Sequence, residues 1–128
     1  MASTATFVDK LSTVVIPVAD QDQMIQFYTE KLGFEKRLDV PFGGQYRWVE
    51  VGPPDGETSI ALAPPAPGGS SGNRETGIGL HAADIDGYHA DLKAKGADVD
   101  AEVARLGDPV PPMFFVRDPE GNSLMVVG

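Results

Sequence analysis

The sequence contains no cysteine in its 128 residues. That excludes disulfides and thiol nucleophiles and removes thiolate from any metal site. Positive charge is scarce: 10 Lys and Arg stand against 19 Asp and Glu, for a net charge of -9. A chain of this sign repels phosphate backbones, so nucleic acid is not an expected partner, and a neutral or cationic small ligand fits better. The same acidity also keeps a protein in solution. No apolar run approaches the roughly 18 residues of a membrane-spanning helix, so no membrane partner is expected. The opening "MASTATFVDK" lacks a basic start followed by an apolar stretch, which argues against a signal peptide and for a cytoplasmic location. There is no phosphate-binding glycine pattern and no serine-centred nucleophile elbow. The Gly-rich "GGSSGN" precedes a strand rather than a helix and reads as a linker.

What the chain does contain is an internal repeat. The turn-and-strand "DPEGNSLMVVG" at 118–128 has a rougher counterpart in "PPDGETSIALAPP" at 53–65, half the chain earlier. In the first half, "LSTVVIPVAD" is β-branched and reads as a strand, with Asp20 placed to cap a helix. The helix "QDQMIQFYTEKLGF" carries Met24, Ile25, Phe27, Tyr28 and Leu32 at helical spacing and stops at Gly33. Three further strands are expected in "EKRLDVP", "QYRWVEV" and "SIALAP", separated by Gly43–Gly44 and by Pro53–Gly56. The second half repeats the order. "TGIGLHAAD" is a strand, Asp84 a cap, "IDGYHADLKAKGA" a helix, and "DVDAEVAR", "MFFVRD" and "SLMVVG" are strands. The expected fold class is α+β: two βαβββ modules, 9–65 and 76–128, joined by a linker at 66–75 within one domain of 1–128.

With "IPVAD" after the first strand, "FYTEKLGF" on the first helix and "DPEGNSL" near the end, residues 9–128 resemble the vicinal oxygen chelate superfamily. That superfamily includes glyoxalase I, extradiol dioxygenases, fosfomycin-resistance enzymes and bleomycin-resistance proteins. The resemblance implies a mixed-sheet cup formed by the two modules, with the helices outside. It also implies positions for a divalent metal, and these fall on Thr13, Ala61, Gly77 and Met125. None of the four is an ordinary metal ligand, since such an ion needs imidazole or carboxylate donors. No metal and no cofactor are therefore expected.

Small residues at those positions leave room in the cup, and the room is either filled by neighbouring side chains or kept for a ligand. Its walls are expected from Phe42, Tyr46 and Trp48 in the first module and from Met113, Phe115 and Met125 in the second. Arg47 and Arg117 lie nearby. Trp48 belongs either to the wall or to the core, and one of Phe114 and Phe115 belongs to the core. Strand parity places His81 on the face of Gly77 and Gly79, where it reads as a ligand contact, as an acid/base or as a strand-end residue satisfied locally. His89 reads as solvent-facing, and Glu50 and Glu57 read either as solvated surface groups or as carboxylates at the cup's rim.

The leading expectation is metal-free binding and sequestration of an aromatic or cationic natural product, with Phe42, Tyr46, Trp48, His81, Met113, Phe115 and Met125 at the ligand. The resemblance to bleomycin-resistance proteins implies a homodimer with the cleft at its interface. The alternative is a metal-independent isomerase or lyase with His81 or a rim carboxylate as the base. A metal-dependent glyoxalase or dioxygenase, with its ligands elsewhere, is a third reading.

Overall fold

A computed structural model describes residues 7–128. Residues 1–6, part of the stretch read for a signal peptide, lie outside the described residues. The first module runs β1 (Thr13–Pro17), α1 (Gln21–Gln26), β2 (Glu35–Pro41), β3 (Arg47–Gly52) and β4 (Ser59–Ala63). The second runs β5 (Glu75–His81), α2 (Ile85–Ala94), β6 (Asp98–Val99), β7 (Met113–Arg117) and β8 (Ser123–Val127). Each module makes one four-stranded mixed sheet, in the orders β1-β4-β3-β2 and β5-β8-β7-β6. The first and last strands of each module pair in parallel and the others antiparallel. This is an α+β fold of two βαβββ modules with a helix on the outer face of each sheet.

Both helices start where their sequence caps stand. The Asp20 carboxylate accepts the Gln23 amide at 3.0 Å, and Asp84 accepts that of Gly87 at 3.0 Å. Gly33 and Gly96 turn the chain out of the two helical segments at φ +84° and +77°, a region open to glycine at no steric cost. The first helical segment is not α-helical throughout. Phe27–Lys31 widens into a π-helical turn, closed by the Leu32 amide on the Phe27 carbonyl at 3.2 Å. The wider turn lets Phe27, Tyr28 and Leu32 all reach the core.

The strand expected over "DVDAEVAR" is reduced to Asp98–Val99 and an isolated bridge between Ala104 and Met113. The Asp100 carboxylate there accepts the Phe115 amide at 2.9 Å and pairs with Arg117 at 3.0 Å, so a side chain takes a bond that a strand carbonyl would have taken.

One core serves both modules. Ile16 and Leu62 from the first sheet and Leu124 and Val126 from the second belong to the same buried cluster, together with Met24, Tyr28 and Leu92 from the helices. The alternate residues of each sheet face away from this core.

The modules are also joined by polar bonds near the second module's last turn. The Glu120 carboxylate accepts the amides of Ala19, at 2.8 and 3.0 Å, and of Asp20, at 2.9 Å. The Tyr28 hydroxyl donates to buried Asp118 at 3.0 Å, and the Asn122 side-chain amide donates to the same carboxylate at 2.9 Å. Tyr88 donates to the Leu32 carbonyl at 2.8 Å.

Candidate functional site

Strand alternation sets the composition of the face each sheet turns away from the core. In the first sheet the register aligns Val15, Ala61, Glu50 and Leu38 in one row, with Trp48 opposite Val40 alongside. In the second sheet Gly79, Met125 and Phe115 form one row, and His81, Val127 and Met113 the next. These free faces are apolar yet open. Val15 is 52% exposed, Tyr46 50% and Phe115 41%, and Leu38, Val40 and Phe42 are also exposed.

Phe42, Tyr46 and Trp48 are brought together. The rings of Phe42 and Trp48 meet edge to face at 6.0 Å and 87°, and those of Phe42 and Tyr46 lie 6.3 Å apart. The Gly43–Gly44 loop between them is closed by backbone bonds from Phe42 to the Tyr46 carbonyl and from Tyr46 to the Gly43 carbonyl. The Trp48 indole donates to the Glu50 carboxylate at 2.7 Å. Glu50 is thus a half-buried carboxylate on the aromatic face rather than a solvated surface group. A Trp-x-Glu spacing on a strand places both side chains on one face, and that signal was present in the sequence.

In the second module, Met113, Phe115 and Met125 share the free face, while Phe114 is buried in the core. The Met125 methyl lies 3.6 Å from the place a Cβ would occupy on Gly79, so this glycine gives the thioether its space. His81 is exposed at the end of β5 and makes no side-chain hydrogen bond among the described residues. His89 is not solvent-facing as expected. Its ring packs edge-on against Phe114 at 4.9 Å, and Nε2 donates to the Asp100 carbonyl at 2.7 Å.

Both arginines near the aromatic faces are engaged. Arg47 holds Asp39 through two bonds, at 3.0 and 2.9 Å, and Asp22 at 2.8 Å. Bonding to Arg47 holds the Asp39 carboxyl below its ordinary range. Arg117 bridges Asp98 at 3.1 Å and Asp100 at 3.0 Å, and these bonds push its guanidinium upward. Neither is free to serve as an anion receptor.

The metal positions implied by the fold family do not fit a metal. Ala61 and Met125 occupy corresponding central places in the two last strands, and neither offers a hard donor. The Thr13 hydroxyl is paired with Ser12 at 3.3 Å, and Gly77 has no side chain. Among the described residues no three His, Asp or Glu side chains are grouped to hold an ion.

In each sheet the aromatic face is the one turned away from the shared core. An apolar cavity of about 540 Å³ lies elsewhere, on the helix side at the seam between the modules. Of the seven residues expected at the ligand, only His81 touches it.

A family model for the Glyoxalase/Bleomycin resistance protein/Dioxygenase superfamily matches residues 10–126. The chain belongs to this superfamily. It is 36% identical to the uncharacterized protein YurT of Bacillus subtilis (strain 168), over 92% of this chain and 98% of that one. A superfamily member from Sphaerobacter thermophilus superposes with a TM-score of 0.88 at 29% identity, covering 95% of this chain and 98% of that one. TnmS3, an antibiotic-binding protein from Streptomyces sp. CB03234, superposes with a TM-score of 0.83 at 28% identity, covering 96% and 98%.

Proposed function

We propose that this protein binds an aromatic, cationic natural product of the antibiotic type and sequesters it unchanged. The observation that carries this reading is the pairing of Trp48 with Glu50 on an open apolar face. The indole offers a flat surface for stacking, and the carboxylate beside it favours a positive charge. Similarity to the antibiotic-binding TnmS3 supports the same class of ligand.

The site is completed by a second copy. Val15, Tyr46 and Phe115 are too exposed for a finished pocket, and ligand pockets enclose most of their ligand. A dimer that laid the first sheet of one copy over the second sheet of another would bring Trp48 to Phe115 and Met125 and cover both faces. Removing this apolar area from water contributes about 25 cal/mol for each Å² buried. Acid–base chemistry by His81 has less support, because no carboxylate or backbone group orients its ring among the described residues.

The test is calorimetric titration with two probes, ethidium as a flat aromatic cation and bleomycin as a larger cationic antibiotic. Trp48→Ala and Phe115→Ala are each expected to weaken binding at least tenfold. Wild-type affinity in both variants would overturn the assignment.

A further inference from the structure

The two modules correspond element by element, with Asp20 and Asp84 as matching caps, yet the two seams between them differ. At one seam, the turn after β7 docks on the entry to α1 through Glu120 and through the Tyr28–Asp118 bond. At the other, the turn after β3 faces the entry to α2. Here Leu92 occupies the position that Tyr28 holds in the first helical segment, and the turn carries Pro53 in place of Asp118. Among the described residues no hydrogen bond joins residues 53–58 to residues 81–84.

The seam therefore stays open as the 540 Å³ groove, walled by Val14, Phe34, Ile60, Ile78, Leu80 and Tyr88. Its size falls in the range of small-molecule sites. It is also held open. The Arg37 guanidinium donates to the carbonyls of Pro53 and Gly56, to that of Thr58 at 3.0 Å, and to Ser59 Oγ at 2.9 Å. This anchors the turn that forms one wall to β2, so the wall cannot fold onto α2 and close the space.

Apart from His81 at the rim, the polar side chains of the groove are acceptors. Glu57 is its only carboxylate, with no hydrogen bond or ion pair among the described residues, and no lysine or arginine lines it. The Tyr88 and Thr58 hydroxyls spend their protons on the Leu32 and Leu11 carbonyls and keep acceptor lone pairs. The groove can therefore receive donors and positive charge, with His81 at its rim.

We infer that this groove is a second small-molecule site, distinct from the aromatic faces, for an amphipathic amine. The apolar part would lie between Val14, Ile60, Ile78 and Leu80, with the ammonium at Glu57. The inference does not depend on the reading of the aromatic faces.

The test is amide NMR of the full chain titrated with n-octylammonium, and separately with n-octanol and n-octanoate, all below micelle formation. Octylammonium is expected to shift the amides of Gly56, Gly79 and Ala82 while leaving the Trp48 indole resonance in place. Glu57→Gln should weaken octylammonium about fivefold and leave octanol unchanged. Ile78→Trp, which fills the groove, should block both, and Trp48→Ala should block neither. Octanoate binding as tightly as octylammonium would overturn the cationic preference. Shifts at Trp48 instead of the groove would assign the amine to the aromatic face and overturn the site. Shifts at the groove amides on diluting the protein alone, with no response to amine, would give the groove to a second copy and likewise overturn it.

Discussion

The Trp48 indole donates to the Glu50 carboxylate across 2.7 Å, with both side chains on the face of β3 that looks away from the core. One bond fixes the plane of the only tryptophan and places a negative charge at its edge. Glu50→Gln keeps an acceptor for the indole and removes the charge. We expect it to weaken ethidium about tenfold, or ~1.4 kcal/mol, with Trp48 emission unchanged. Glu50→Ala should weaken binding and also alter the emission. Titration followed by tryptophan fluorescence separates the two.

The modules are latched by groups far apart in sequence. Tyr28→Phe removes a bond to a buried carboxylate and is expected to cost about 1.5–3 kcal/mol. Glu120→Ala frees the Ala19 and Asp20 amides and should cost about 1–2 kcal/mol. Because Glu120 and Asp118 share one turn, the double variant should lose less than the sum of the two. Urea unfolding of the four proteins measures this coupling.

Alkaline pH should destabilise the fold. Burial and the nearby Asp91 charge push the Tyr88 hydroxyl up to about 12. Burial, then the charge and hydrogen bond of Asp118, raise Tyr28 further. An unfolded tyrosine ionises near pH ~10. The folded chain thus holds these protons where the unfolded chain loses them, so stability is full below about pH 10 and falls as pH rises above it. The phenolate absorbance of Tyr28 and Tyr88 should appear together with loss of structure rather than before it. Ionisation of all three tyrosines with the fold intact would contradict this.

Much of the fold was legible because local chemistry and tertiary packing agree. Asp20, Gly33, Asp84 and Gly96 end the helical segments where their side-chain chemistry or backbone freedom requires. The π-helical turn was not legible, since it arises when Phe27, Tyr28 and Leu32 must all reach a core assembled from both modules. Asp98 and Asp100 shorten β6 through pairing with Arg117, and Phe114 and Asp100 draw in His89. Sequence spacing could not show either. Of the candidate site, the aromatic residues and their strand faces were legible by parity, whereas the seam groove depends on Arg37 reaching a distant turn.

On the proposed reading, one ligand site is made from the Trp48 face of one copy and the Phe115 face of another. Mixing Trp48→Ala protein with Phe115→Ala protein, allowing subunits to exchange, and titrating ethidium tests it directly. Each variant alone is expected to bind poorly, while the mixture regains part of the wild-type binding, because a mixed dimer carries one site with both aromatic residues intact. A mixture that binds no better than its separate components would contradict the shared site.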